Sequence, residues 1–416
     1  MKATVVVYSM GYRGDVFPYV PIASELATRS HKMTYVVPQE FHALLDGEEF
    51  RCVHSGFDLG PALLDQHAKY VAHWGGARMI RLFFVRFVIP HFDELFEALD
   101  AEVASADVVV SHTLASVVAA MVCERRGVPL VVGDLFPMHW PSAFSPPTGL
   151  PNLGRWANRL VWGVGRYMAA KGQPGARAIR ANRRRLGLSA NGWSLMDTGA
   201  PLTLGLASPS YVDRQPDWPS QYRLVGFTPW SGPTGRGLPD EVSAFLDAGE
   251  PPIIVTQGTA AASARTSFFA RSAEVVDRAG GRALLLTSNE RIATELRSIV
   301  PGHRHAIWPF VPLDPLLPRC RGVIHAGGLG TTALTVSAGV PSAISPCMID
   351  SLWHARRHET LGIGIWIRGD NIDTAVKRLM TDEALFARAH RLGQRIADED
   401  GTRLACDEIE AFLKEG

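Results

Sequence analysis

At 416 residues, with 46% hydrophobic and 20% charged side chains, the chain is too long for one ordinary core and too apolar to be disordered or fibrous; two domains of roughly 200 residues each are expected. A net charge of +1 offers no basic face for nucleic acid. Cys52, Cys123, Cys320, Cys347 and Cys406 lie far apart with no paired spacing, which reads as reduced, mostly buried thiols in a cytoplasmic protein rather than a disulfide or zinc framework. The opening "MKATVVVYSMGYRGD" is too short in its apolar run for a signal peptide, and no apolar run reaches the ~18 residues of a spanning helix.

Strand-like and helix-like runs alternate from the start. "ATVVVYS" (3–9) is a short β-branched run, as for a strand buried on both faces. "VFPYVPIASELATRS" (16–30) has helical spacing at Val20, Ala23, Leu26 and Ala27, and "KMTYVVP" (32–38) reads as a second strand. "ADVVVSH" (106–112), "SVVAAMVCERRG" (116–127) and "VPLVVGD" (128–134) repeat strand, helix, strand. Residues 205–238 turn rich in Pro, Gly, Ser and Trp, the composition of an interdomain connection. Alternation then resumes with strands at 251–258, 282–288, 305–311, 321–327 and 341–346, and helices at 266–280 and 331–339. The segment from 382 onward has helical spacing. The expected fold class is α/β, with two doubly wound parallel sheets.

In such sheets ligands bind where strand C-termini meet helix N-termini. The sharpest place is "IHAGGLGTTALTVSAGVP" (324–341), where a strand ends at His325, glycines turn the chain, and a helix starts near Gly330 or Thr331. Free N–H groups and the helix dipole there favour an anion such as diphosphate, and Thr331 and Thr332 could add hydroxyl donors. No Lys follows the glycines, so this is not a Walker A loop; a plain tight turn is the alternative. "SMGYRGDV" (9–16) places Asp15 in a first helical turn, but Gly11 and Gly14 do not make a dinucleotide fingerprint. Asp350 follows a strand and enters a helix, as an N-cap or as an acceptor for ligand hydroxyls. "DED" (398–400) reads as a solvated charge cluster, "HARRH" (354–358) as surface or packing histidines, and His303 and His305 as loop residues. Segments 73–96 and 136–168 carry many aromatics, read as packing or as an apolar cleft, with Arg78, Arg81 and Arg86 facing a membrane surface.

Several of these stretches together resemble the family 1 nucleotide-sugar glycosyltransferases of the GT-B fold. "VIHAGGLGTTALTVSAGVPSAISPCMIDSLWHARRHETLGIG" resembles their C-terminal donor signature, and "SMGYRGDVFPYVPIASELATRSHKMTYVVP" the N-terminal segment of their bacterial branch. "FPMHWPSAFSPP", "NRRRLGL", "EPPIIVTQGTA" and "WPFVPLDPLLPRC" fall in the order of that branch, in the subgroup of the rhamnolipid rhamnosyltransferase and bacterial sterol glucosyltransferase-like proteins.

The resemblance implies two Rossmann-like domains facing across a cleft: an acceptor domain (1–210), a linker (211–238), a donor domain (239–395), and a C-terminal helix (396–416) returning to the first domain. It implies that His325 touches the donor diphosphate, that Gly327, Gly328, Gly330, Thr331 and Thr332 receive the phosphates, and that Gly258 and Thr259 lie nearby. Gly14 is placed on the donor side as well, Trp308 and Val311 beside a uracil or thymine base, and Asp350 on the sugar hydroxyls. Where many relatives have Asp-Gln this chain has Asp350-Ser351, which points from glucose toward a deoxysugar or rhamnose. The implied chemistry is inverting and metal-independent, with no cofactor beyond a dTDP- or UDP-sugar co-substrate. Asp15 matches the expected base, and His112 is either its partner or the base itself. Trp74, Phe84, Phe87, Phe136, His139 and Trp140 are the expected acceptor wall for a lipid, sterol or polyketide-like molecule. The expected protein is a monomer or homodimer, cytoplasmic or peripheral at the inner membrane face; a sugar-nucleotide epimerase and a silent nucleotide-binding paralogue are the rival readings.

Overall fold

In the computed structural model, which describes residues 2–58, 84–137, 140–148, 150–167, 174–189, 199–230, 232–233, 237–258, 266–302, 304–347 and 349–415, the strands form two parallel sheets. The first holds β1 (Thr4–Tyr8), β2 (Lys32–Val37), β3 (Arg51–His54), β4 (Val108–His112), β5 (Leu130–Asp134), β6 (Leu202–Gly205) and β7 (Tyr222–Leu224), in the order β3-β2-β1-β4-β5-β6-β7. The second holds β8 (Ile253–Thr256), β9 (Ala283–Leu286), β10 (His305–Trp308), β11 (Gly322–His325), β12 (Ser342–Ile344) and β13 (Gly364–Trp366), in the order β10-β9-β8-β11-β12-β13. Each sheet grows outward from its first strand and then reverses, so the order switches between β1 and β4 in one and between β8 and β11 in the other. Those switch points are where a doubly wound sheet opens a crevice for a ligand.

The β-branched runs form central strands because they are apolar on both sides. In β8, Ile253 and Val255 enter a core with Phe269, Ile324 and Leu379, while Ile254 enters an opposite core with Leu284, Leu316 and Val323. One face of the first sheet, with Tyr35 of β2, shares a core with Tyr19, Ile22 and Leu26, all fully buried.

Contacts divide the chain into two compact units, the first taking the described residues through Trp230 and again from Asp400, the second those between, to Glu399. The closing helix Gly401–Glu415 belongs to the first unit, where Ala405, Cys406 and Ile409 join its core and Arg29 pairs with Asp407 at 2.7 Å. Gly401 makes this possible, since a Cβ there would stand 2.3 Å from the Phe227 carbonyl oxygen. Residues 383–397 form a separate helix of the second unit, so the expected segment 396–416 is divided.

Three local differences have physical causes. The stretch expected as a linker contributes β7, an edge strand paired to β6 from Thr203↔Tyr222 to Gly205↔Leu224. Pro18 and Pro21, which lack the N–H a helix interior needs, sit in the first turns of separate elements, so that after the turn Arg13–Val16 the stretch 16–30 forms a tighter turn at Phe17–Tyr19 and then the helix Val20–Thr28. His305, read as a loop residue although it heads the strand expected at 305–311, is buried as the first residue of β10, where its Nδ1 accepts the Ala283 N–H at 3.0 Å; His303 lies outside the described residues.

Candidate active site

In the first unit the chain leaves β1 at the switch point and folds Asp15 back over its own loop. The Asp15 Oδ2 accepts the Tyr12 N–H at 2.8 Å. Gly11 sits at φ +121°, and a Cβ on it would meet that oxygen at 2.3 Å, so the return of the carboxylate depends on a glycine there. Gly14, one turn on, has open space around it. His112 ends β4, the neighbour of β1, and its Nε2 lies 3.5 Å from Asp15 Oδ1. That separation is longer than an ordinary hydrogen bond, and the two are an ion pair only when the imidazole is protonated.

The two partners differ in access: the Asp15 side chain is 21% exposed and that of His112 only 3%. Removal of water by the surrounding wall pushes the Asp15 carboxyl up to about 7, against the Tyr12 N–H, which favours the charged form. Behind the pair, the Tyr19 ring meets the imidazole edge-on at 5.9 Å, and its hydroxyl donates to the Gly133 carbonyl at 2.6 Å. A Cβ at Gly133 would strike that ring at 2.5 Å. Asp134, beside it at the end of β5, is buried and accepts from the Thr113 hydroxyl and the Trp140 indole N–H.

In the second unit the glycine turn follows β11 at the corresponding switch point. Gly327 takes φ +80°, and a Cβ on it would lie 2.7 Å from Ile344 Cγ2 and 2.9 Å from Ser351 Cβ. The helix Leu329–Ser337 then starts on Gly328 with the Thr332 N–H to Gly328 carbonyl bond of 3.0 Å, so the N–H groups of Leu329, Gly330 and Thr331 precede its first intrahelical bond. Gly328 is exposed and Gly330 and Thr331 are half-buried. Such a helix start favours an anion.

His325 is 1% exposed, and its Nδ1 accepts the Gly327 N–H at 3.1 Å, which places the proton of the neutral ring on Nε2. Burial, and after it the neighbouring His358, pushes His325 down to about 3, so it acts as a neutral donor and not a cation. Its Nε2 has no hydrogen-bond partner among the described residues, and neither do the Thr332 hydroxyl and the side-chain amide of Gln257. All three are buried. Register joins them to one place: His325 pairs with Thr256 on β8, Gln257 follows that strand, and Thr332 closes the first turn after the glycines. Buried polar groups are normally satisfied, so these three leave hydrogen-bonding capacity at one sheet end that no described residue uses. Gln257 escaped the sequence reading; its only signal was a polar residue between a buried strand and Gly258.

The remaining expected residues sort unevenly. Gly258 needs its left-handed φ of +68°, and its N–H points to Thr256 Oγ1 at 3.5 Å. Trp308 ends β10 half-buried, whereas the Val311 side chain lies in the core, leaving only its backbone for a ligand. Asp350 stands half-buried in the first turn of the helix Ile349–Leu361. Ser351 is buried beside Gly327, and its hydroxyl accepts the Cys347 N–H at 3.0 Å. His354 and His358 are buried packing residues.

Phe84, Phe87, Phe136 and Trp140 are buried rather than lining an open wall. Trp140 meets Trp218 at 4.8 Å and Tyr222 at 4.7 Å, and Phe87 stacks on Phe57 at 6.0 Å. Large aromatic surfaces gain most by leaving water, so these rings are spent on the first unit's interior. Trp74, His139, Thr259, Arg78 and Arg81 lie outside the described residues. Among the described residues no cluster of His, Cys, Asp and Glu is arranged to hold a metal ion.

Residues 275–411 match the family described as erythromycin biosynthesis protein CIII-like, C-terminal domain. Over 99% of this chain and 97% of the relative, the sequence is 28% identical to O-mycaminosyltylonolide 6-deoxyallosyltransferase of Streptomyces fradiae. It is 25% identical to a sterol 3-beta-glucosyltransferase of Emericella nidulans over 96% of this chain, which spans 29% of that longer relative. Among solved structures, the glycosyltransferase SsfS6 of Streptomyces sp. SF2575, complexed with thymidine diphosphate, has a TM-score of 0.67 at 18% identity, covering 98% of this chain and 99% of that one. At that identity the likeness is one of fold.

Proposed function

Because the chain is a family 1 glycosyltransferase of the GT-B fold, we propose that it moves a hexose or deoxyhexose from a dTDP- or UDP-sugar to a hydroxyl of a hydrophobic acceptor, with inversion. The observation that carries the reading is the Asp15–His112 pair, in which the carboxylate is the accessible member and is pushed up to about 7 by the water it loses. A base with that affinity for a proton is half ionised at the pH where it must work.

Asp15 takes the acceptor hydroxyl proton as the acceptor oxygen forms its bond to the anomeric carbon. The bond to the diphosphate oxygen breaks on the opposite side, and the nucleoside diphosphate leaves. His112, closed behind Asp15, positions the carboxylate. Charge on the leaving group meets the N–H groups of Leu329, Gly330 and Thr331, with His325 Nε2–H and the Gln257 amide as neutral donors. Asp350 is left to bind sugar hydroxyls, since Ser351 is engaged with Cys347; a shorter polar reach suits a donor with fewer hydroxyls, such as a deoxysugar. The thymidine diphosphate in SsfS6 and the deoxysugar named for the Streptomyces fradiae relative support a dTDP-deoxysugar first. The two curated relatives' names support a polyketide-like or sterol acceptor. Neither an epimerase nor a silent paralogue draws support from them.

The test is a donor-by-acceptor screen read by mass spectrometry, with nucleoside diphosphate release followed in parallel and the anomeric configuration of any product assigned by NMR. A new glycoside of inverted configuration is expected. Donor interconversion without transfer, or a retained configuration, would overturn the reading.

A further inference from the structure

The helix Arg155–Tyr167 is held to the first unit by one narrow face. Asn158 donates from its amide to the Ala143 carbonyl at 2.9 Å, and the Trp162 indole N–H donates to the Ser145 carbonyl at 2.8 Å. Both side chains are buried. The opposite face is apolar and open: Trp156 is 79% exposed, and Leu160, Val164 and Tyr167 are more than half exposed, with Leu153 just before the helix. Of the large hydrophobics exposed among the described residues, Leu150, Leu153, Trp156, Leu160, Val164 and Tyr167 lie together here, while Val85, Ile299, Leu352 and Leu404 are scattered. Single exposed apolar residues need no explanation, but a contiguous row does.

At 3.6 residues per turn, Trp156, Leu160, Val164 and Tyr167 fall within about 80° of one another, and Arg155, Arg159 and Arg166 within about 40° on one flank of that row. No Asp or Glu occurs between Asp134 and Asp197. In the same interval the next helix, Pro174–Arg185, adds exposed Arg177, Arg184 and Arg185, of which Arg185 pairs with Asp93. That interval of a chain with a net charge of +1 concentrates arginines beside the apolar row, where Arg155 stacks on Phe144 at 4.2 Å and Arg159 faces Asp217. Trp and Tyr stand at the two ends of the row, the arrangement of a helix lying in a membrane interface.

We propose that this helix docks the protein on an anionic lipid surface, with Trp156, Leu160, Val164 and Tyr167 entering the headgroup and acyl boundary and Arg155, Arg159 and Arg166 meeting lipid phosphates. Charge complementarity selects this occupant, since a second copy would bring the same arginines against one another. No described helix is long and apolar enough to cross a membrane, so the contact is peripheral. The proposal is independent of the acceptor's identity.

The experiment is vesicle co-flotation of the full chain with phosphatidylcholine alone and with phosphatidylcholine containing phosphatidylglycerol, at low and high salt. Binding to the anionic vesicles, weakened by salt, is expected. The double substitution Trp156→Ser with Leu160→Ser should weaken it roughly tenfold or more, and Arg155→Gln with Arg159→Gln should remove its lipid-charge dependence. Unaltered thermal unfolding of the variants confirms that they fold. Equal partitioning onto neutral and anionic vesicles, no partitioning, or serine variants that bind as before would each overturn the proposal. So would a dimer of the parent chain that the serine variants dissociate in sedimentation, which would assign the face to a second copy.

Discussion

The turn after β1 and the turn after β11 flank the switch points of two sheets that share the order of their first six strands, one following the first strand and the other the fourth, and they present different chemistry. After β1 a glycine at +121° lets a side chain fold inward, and a carboxylate results whose proton affinity is raised by its surroundings. After β11 a glycine at +80° lets a neighbouring helix approach, and what remains for a ligand is backbone N–H groups and neutral donors. The lesson is that a switch point supplies only a position. Whether it becomes an acid–base site or an anion seat depends on which groups the adjoining glycine brings close.

The contrast can be broken at four points. Asp15→Asn removes the proposed base and should lower kcat by about 10²- to 10⁴-fold, with nucleoside diphosphate affinity unchanged in calorimetry; full turnover would remove Asp15 from the chemistry. Gly327→Ala acts on the other turn. Its Cβ collides with Ile344 and Ser351 at a φ that side chains avoid, so nucleotide affinity should drop roughly tenfold or more, with the pH profile preserved. In the parent enzyme, activity should fall about tenfold per unit below pH 7, as Asp15 takes up its proton. The same raised affinity means Asp15 contributes stability at acid pH that is lost as pH rises through about 7. His112→Asn should cost about tenfold in kcat and leave that acid limb near 7; a loss as deep as that of Asp15→Asn would make the histidine the base. The smallest effect is expected for Gln257→Leu, roughly threefold to tenfold weaker nucleotide binding without a change in the pH profile.

Most central strands were legible because residues buried on both faces must be apolar whatever surrounds them. β3, β6, β7 and β13 were not read: β3, β7 and β13 are short edge strands, and β6, though buried, is only four residues long beside the Pro-rich stretch that read as a linker and holds β7. Among the candidate site residues, those the sequence picked out and the structure places beside strand ends are glycines and titratable groups: Asp15, His112, Gly258, His325 and Gly327. The aromatic segments misled. Phe87 and Trp140 have the composition of an apolar wall, but composition does not say whether a ring meets a ligand or Phe57 and Trp218. Gln257 was overlooked because its interest lies in having no partner, which a sequence does not record.

The sequence by itself determined two parallel sheets, their switch-point turns and the residue types placed there, since these follow from local pattern and from what glycine alone permits. Only the tertiary structure decided that Asp15 is accessible and His112 is not, that the Asp15 carboxyl rises to about 7 while His325 is held neutral, and that the aromatics are enclosed while Trp156 is left open. Proton affinity and exposure are set by the water each group loses, and that loss depends on neighbours from distant parts of the chain.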